Sequence, residues 1–331
     1  MKYNENGNLI CTVGIYINDI ILASDNLKEI ENAKRTLSQT FKMTDLGKIS
    51  WILRMEVKWD REHKTMTISQ EKYINDILER YGQLDARPMK TPSLPNEQLI
   101  KLKSPEPDVD IQWYQSAVGA LMYAMLGTRP DLAYTVGILS QHTAAPGKDH
   151  VHTVQRTFQY LHATIHHNLT FNGNEHGELV GFSDADWAAN VNDRHSISGY
   201  VFMLSGAAVS WSSKKQGSMA LSSTEAEYIA GAHAAKEAIW LRTLLSEFGE
   251  LQEAPTTLLI DNQSAIAIAK NPAYHARTKH IDVRYHFLRE KYASGELELQ
   301  YVPTGEQLAD VLTKGLAHEK HERFCSGMGV R

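Results

Sequence analysis

The chain has 331 residues and a net charge of −5, with 42% hydrophobic and 22% charged residues. That length allows two domains, each with its own core, and the balance is not that of a strongly basic nucleic-acid-binding chain. No window approaches the length of a membrane span, the N-terminus has no secretory or transit pattern, and Cys11 and Cys325 lie at opposite ends, so a disulfide framework and a four-cysteine zinc site are excluded and a reducing compartment fits.

In chain order, LICTVGIYINDIILAS predicts a strand, a polar turn at Asn18 and Asp19, and a second strand, forming a buried hairpin with an acidic tip. A helix is expected over Leu27 to Phe41. A strand pair over Trp51 to Val57 and Thr65 to Ser69 follows, then an amphipathic helix over Glu71 to Tyr81. Residues 82–110 carry Pro88, Pro92, Pro95, Pro105 and Pro107 among polar residues and read as an extended linker. Three helices are predicted next, at Trp113 to Leu126, Pro130 to His142 and Lys148 to Ala163.

From Leu179 the texture becomes strand-rich. LVGFSDADW, GYVFMLSG and AVSWSSKK predict a three-strand meander, and a long helix follows from Ser222 to Phe248 with serines at its start. TTLLID is a buried strand and NQSAIAIAK a helix. A basic helix is expected over Thr278 to Tyr292, then the strand LELQYVP and a closing helix over Gly305 to Leu316. The order gives an α/β unit with a mixed five-stranded sheet and flanking helices. His318, His321 and Cys325 have spacings that suggest zinc, but three such residues in a polar tail read as a solvated terminus.

Asp184 and Asp261 stand at the carboxyl ends of two predicted strands, where ligands bind in open α/β sheets. On the long helix, Ala230, Ala234, Ala238, Leu241 and Leu245 form a sheet-facing stripe. At about 100° per residue Glu227 falls on that stripe and Glu225 on the opposite, solvent side. A glutamate on a buried stripe breaks the local rule, and such breaks mark function. Buried carboxylates need a cation, so Asp184, Glu227 and Asp261 are candidate metal ligands. In the closing helix Glu306 and Asp310 both flank the packing face, and spacing does not choose between them.

FSDADWA, SSTEAEY, LLIDNQSAI, RTKHIDVRYHF and VPTGEQLADVLTK, in that order, resemble the ribonuclease H domain of copia-type LTR retrotransposon polyproteins. The resemblance implies a four-carboxylate site on Asp184, Glu227, Asp261 and Asp310, the last resting on the resemblance alone. It implies two Mg²⁺ ions, with Mn²⁺ able to substitute, hydrolysing the RNA strand of an RNA–DNA hybrid. Asp186 is the nearest competitor of Asp184. No histidine lies between Leu297 and Asp310 to assist proton transfer. Arg277, Lys279, His280 and Arg284 are expected phosphate contacts, and Asn262 and Gln263 candidate contacts to 2′-hydroxyls.

The first half resembles the last part of the reverse transcriptase of the same polyproteins. IYINDIILAS matches the palm hairpin, and LGKISWILRMEV, ISQEKYINDIL, TPSLPN and SAVGALMYAMLGTRPDLAY match the palm end, connection and helical region beyond. Of the hairpin's catalytic set, Tyr16 and Asp19 remain while Asn18 replaces the first aspartate, and Arg54 stands where the family usually has glycine. With that loss, and with the chain beginning just before the hairpin, polymerase activity is not expected from it alone. The expected divisions are 1–90 (partial palm), 91–175 (linker and helical thumb or connection), 176–317 (ribonuclease H) and 318–331 (tail). The resemblance places such a protein in the cytoplasm, within virus-like particles, or in the nucleus, with an RNA–DNA hybrid and other retroelement polyprotein products as partners and no membrane or disulfide partner. The alternative is a non-catalytic retroelement remnant or nucleic-acid-binding module; an integrase-type enzyme fits less well, because the glutamate follows the meander directly.

Overall fold

The computed structural model describes residues 2–3, 9–175, 177–271 and 286–331. Its first sheet is the expected hairpin, β2 (Leu9–Tyr16) and β3 (Asp19–Ala23), with the short β1 (Lys2–Tyr3) on the outer edge of β2. Helix α1 (Leu27–Thr40) lies against it and is capped by the Asn26 side chain, which accepts from the Lys28 amide. The hairpin is not buried as expected. Ile15 and Ile17 are 72% and 80% exposed, because α1, itself without a buried residue, is its main cover among the described residues.

β4 (Trp51–Ile52), β5 (Met55–Asp60) and β6 (Thr65–Ser69) form a second antiparallel sheet. The single strand expected over Trp51 to Val57 is broken by a turn at Leu53 and Arg54, whose φ angles are 48° and 57°. This is the left-handed region, costing a non-glycine residue roughly 1–2 kcal/mol, and it gives a physical reason why glycine would suit position 54. The fourth strand of this sheet, β7 (Leu169–Asn172), comes from far down the chain and pairs with β6; the sequence reading missed it.

α2 (Glu71–Arg80), α3 (Ile111–Gly127), a 3₁₀ turn (Pro130–Leu132), α4 (Ala133–Ser140) and α5 (Lys148–Ala163) enclose one core around Ile74, Ile77, Tyr114, Leu121, Leu139 and Phe158. The proline-rich segment between α2 and α3 has no regular structure but is no free linker. Thr91, Ser93 and Leu99 are buried, Arg156 donates to the Thr91 hydroxyl at 3.0 Å, and Thr135 donates to Ser93 Oγ at 3.1 Å. Arg129 and Asp131, both fully buried, pair at 2.7 Å, and Tyr160 donates to the same carboxylate at 2.6 Å.

The second half is the expected meander, β8 (Val180–Asp186), β9 (Ile197–Leu204) and β10 (Ala207–Lys215), followed by α6 (Ser223–Glu247), β11 (Thr256–Ile260), α7 (Gln263–Lys270), α8 (Phe287–Ala293) and β12 (Leu297–Tyr301). The sheet order is β10-β9-β8-β11-β12, antiparallel through the meander and parallel from β8 onwards. Alanines 226, 230, 234 and 238 of α6 are buried, and with Gly231 they let the helix approach the sheet closely. The closing helix is shorter and tighter than expected, a 3₁₀ stretch over Leu308–Leu312.

Residues 318–331 are not a solvated tail. Helix α9 (His318–Gly327) buries His321, Phe324 and Cys325, and a further core joins Phe324, Met328 and Val330 to Ala133 of α4, Leu169 of β7 and Val201 of β9. His321 Nδ1 lies 3.4 Å from Cys325 Sγ, and burial pushes the His321 pKa down to about 4, so this pair packs as neutral side chains. Among the described residues no helix is long and apolar enough to cross a membrane.

Candidate metal centre

Three elements deliver the acidic side chains. Asp184 lies within β8, which runs on through Asp186, so the strand ends two residues later than the sequence suggested. Asp261 is the first residue beyond β11. Glu227 sits in the first turns of α6, which Ser222 caps by accepting from the Glu225 amide. Glu225 does not face solvent as expected. Its carboxylate folds back to accept from the Leu221 amide at 2.9 Å, completing the cap, and it is buried.

Asp184, Glu227 and Asp261 each offer a carboxylate oxygen, and these oxygens lie within 4.8 Å of one another. Asp184 and Glu227 are buried, while Asp261 is half-buried at the rim. The Ala185 amide donates to Glu227, yet Glu227 Oε2 is buried without a hydrogen-bond partner. Burial raises the pKa of Glu227 well above the ordinary range, and the charges of Asp184 and Asp261 raise it further. Burial likewise raises Asp184, and Lys314 and the Thr313 hydroxyl pull it only part of the way back. Such a pocket strongly disfavours several negative charges unless a cation joins them. Its all-oxygen, all-carboxylate donor set suits a hard divalent ion, and the unpartnered Glu227 oxygen is a ready ligand.

Asp310 lies outside this triad. It is fully buried on the 3₁₀ stretch, 2.8 Å from Lys314 Nζ, with Lys320 of α9 donating to its other oxygen. Lys314 Nζ also lies 4.0 Å from Asp184 Oδ2. Burial opposes the lysine's charge, but Asp184 and Asp310 outweigh it and hold its pKa above the ordinary lysine value. Asp186, half-buried at the strand end, is raised by burial, with Lys314 lowering it and Asp310 raising it again. Glu306 is exposed.

The 3₁₀ stretch reaches the sheet because Gly199, paired with Asp184 across β8 and β9, has no side chain. A Cβ there would stand 2.8 Å from Thr313 and 2.9 Å from Leu312. Gln307 pins the same segment by donating to the Ser183 carbonyl at 2.9 Å. Thr304 donates to Asp261 Oδ2 at 2.7 Å, and Thr313 donates to Asp184. Sequence reasoning missed Thr304, Gln307, Thr313, Lys314 and Lys320. The first four lie inside the motif VPTGEQLADVLTK, so the motif held the signal although only Asp310 was drawn from it.

Of the expected nucleic-acid contacts, Gln263 is exposed at the start of α7, whereas the Asn262 side chain caps that helix by accepting from the Ala265 amide at 2.9 Å. Arg277, Lys279, His280 and Arg284 lie outside the described residues, as does most of the basic helix; only Phe287–Ala293 is described as α-helix. Tyr16, Asn18 and Asp19 surround the exposed hairpin turn, and Tyr16 and Asp19 border an open cleft of about 550 Å³ that Arg54, Tyr73, Arg80 and Tyr123 also line.

Fold and site together define a mixed α/β unit that gathers three carboxylates, Asp184, Glu227 and Asp261, from separate elements. Residues 1–95 match the reverse transcriptase (RNA-dependent DNA polymerase) family. The chain is 41% identical, over 97% of its length, to the retrovirus-related Pol polyprotein from transposon TNT 1-94 of Nicotiana tabacum, and 36% identical over 98% to that from transposon RE1 of Arabidopsis thaliana. It belongs to this family of copia-type retrotransposon Pol polyproteins. It spans 24% and 22% of the length of those two relatives. A solved ribonuclease H domain from Mycobacterium tuberculosis, 14% identical, aligns with 45% of this chain and 97% of its own at a TM-score of 0.29.

Proposed function

We propose that this chain hydrolyses the RNA strand of RNA–DNA hybrids with the help of a divalent ion, Mg²⁺ by preference and Mn²⁺ as a substitute. The observation that carries the reading is the buried triad of Asp184, Glu227 and Asp261, three carboxylates from separate elements whose oxygens lie within 4.8 Å of one another. Such a convergence is costly in an apo protein and has no structural purpose that apolar packing would not serve better.

In this reading Asp184, Glu227 and Asp261 hold the ion. A bound Mg²⁺ would supply Lewis-acid stabilisation of the phosphate and a more acidic water. Thr313 and Thr304 fix the orientation of Asp184 and Asp261, which keeps the ligand oxygens aimed inward. Arg277, Lys279, His280 and Arg284 hold phosphates without reading sequence, and Gln263, free of a capping role, reaches a 2′-hydroxyl. Asn262 has its side-chain oxygen engaged in the cap, leaving its amide nitrogen for such a contact.

The test is cleavage of an end-labelled hybrid by the full chain in Mg²⁺ or Mn²⁺, beside Asp184→Asn and Asp261→Asn. The full chain is the right material because α9 and β7 share a core with β9 and α4. Cleavage that both substitutions remove is expected. A folded, unmodified chain that leaves the hybrid intact would overturn the proposal in favour of a non-catalytic binding module.

A further inference from the structure

We infer that the ammonium of Lys314 takes the place of a second divalent ion, so that this centre binds one ion, at the triad, and Asp310 serves as a charge partner of lysine rather than as a metal ligand. The inference deepens the proposed nuclease reading and rests on it. A second ion in a carboxylate site of this kind would bridge the shared aspartate and the outer one, roughly 4 Å from the first ion. Lys314 Nζ stands between those two aspartates, paired with Asp310 Oδ1 at 2.8 Å and at the longer distance of 4.0 Å from Asp184 Oδ2, so its charge falls in the space such an ion would need. Asp310's other oxygen accepts from Lys320, which α9 delivers from the far end of the chain. Both oxygens of Asp310 thus face a lysine, Oδ2 through a hydrogen bond from Lys320 and Oδ1 through an ion-pair contact with Lys314 that lacks hydrogen-bond geometry.

The charges point the same way. Asp184, Glu227, Asp261 and Asp310 bring four negative charges, and Lys314 and Lys320 return two, so a single divalent ion neutralises the group. A second divalent ion, with both lysines in place, would leave two excess positive charges beside buried carboxylates. Asp186, half-buried at the strand end, lies outside the carboxylate triad and outside this group. The lysines are not surface residues caught by chance. Lys314 follows Asp310 by one helical turn, and its segment is fixed by Gln307 and by the close approach at Gly199. A fixed ammonium beside the ion also offers a preorganised positive charge to a phosphate in the site.

The experiment counts bound ions directly. Mn²⁺ is titrated into the full chain and followed by calorimetry and by the loss of free-Mn²⁺ electron paramagnetic resonance signal. The wild-type chain is expected to bind one ion, lost in Asp261→Asn. Lys314→Met, which keeps the length of the stem and removes the charge, is expected to bind two, and Lys314→Arg one. Circular dichroism of each variant confirms that it folds. Two ions on the wild-type chain, or one on a folded Lys314→Met, overturn the inference and leave the metal-centre reading standing. No Mn²⁺ on the wild-type chain overturns both.

Discussion

Two regions of this molecule present aspartate to the chemistry of a divalent ion, and they do so in opposite surroundings. Asp19 follows an exposed turn, with Ile17 80% exposed beside it and Asn18 where a second carboxylate would stand. Asp184 is buried in the middle of a sheet, with Glu227 and Asp261 converging on it from a helix and a neighbouring strand. In the first region the carboxylate is exposed on an open cleft that Arg54 and Arg80 also line, and among the described residues it joins no acidic cluster. In the second, desolvation and like charge raise the energy of every ionised state until a cation arrives. The difference teaches that a carboxylate's position in the fold, more than its presence in a motif, decides whether it constitutes a metal centre.

The sharpest way to break the comparison is to neutralise one acid on each side. Asp184→Asn or Glu227→Gln should lower hybrid cleavage at least about 10²–10³-fold, the scale seen when a preorganised electrostatic element is removed. Asp19→Asn should leave that cleavage unchanged in the same assay.

A second test follows stability with pH in metal-free protein. The folded-state pKa values of Asp184 and Glu227 lie above their ordinary values of 3.8 and 4.5. The folded state therefore holds these protons more tightly than the unfolded chain. The stabilisation is fully present below pH 3.8 and is lost as pH rises through about 7 for Asp184 and further for Glu227. Each group adds a downward slope of up to about 1.4 kcal/mol per pH unit. Thermal melts in chelator from pH 5 to pH 8 should show a falling midpoint, which Glu227→Gln makes shallower and millimolar Mn²⁺ reverses. A flat profile would contradict the electrostatic account of the centre.

A smaller effect is expected from Thr304→Val, which removes the hydrogen bond to Asp261 without changing the side chain's shape. Mn²⁺ affinity should fall about 10–100-fold, as for other groups that orient a ligand, with the melting midpoint in chelator nearly unchanged. The smallest concerns the hairpin. Ile17→Ser should lower stability by no more than about 0.5 kcal/mol, because the side chain is 80% exposed and its φ of 51° strains a β-branched residue more than it would serine. A larger loss, read by urea denaturation, would mean that the hairpin is covered in solution and that the contrast drawn above is weaker.

Much of the second half was legible because its periodicities are strong. The alanine stripe placed α6 within a residue at each end, and the same stripe turned Glu227 towards the sheet. Angular reasoning failed for Glu225 next door. A side chain in the first turn can curl back to an unpaired amide, and no helical wheel records that. The tail was misread for a related reason. His318 to Arg331 is polar in composition, but Phe324, Cys325, Met328 and Val330 are a sparse apolar face, and only a tertiary surface made by α4, β7 and β9 gives it something to cover. β7 escaped notice because Leu169–Asn172 is four residues long and its partner β6 lies a hundred residues earlier. The hairpin erred in the other direction. Its β-branched residues gave its strands correctly, but local pattern carries no information on whether a second layer covers them.

The last residues of the chain are sewn to its middle. The Asn168 amide donates to the Arg331 carbonyl at 2.7 Å and the Arg331 amide to the Asn168 carbonyl at 3.0 Å, while Gly329, with φ of 79°, turns the chain tightly over Ala207. This stitch works as a hasp for α9, and α9 carries the Lys320 that meets Asp310. Loosening residues 328–331, which touch no acid of the centre, would therefore unlatch one of its counter-charges from behind.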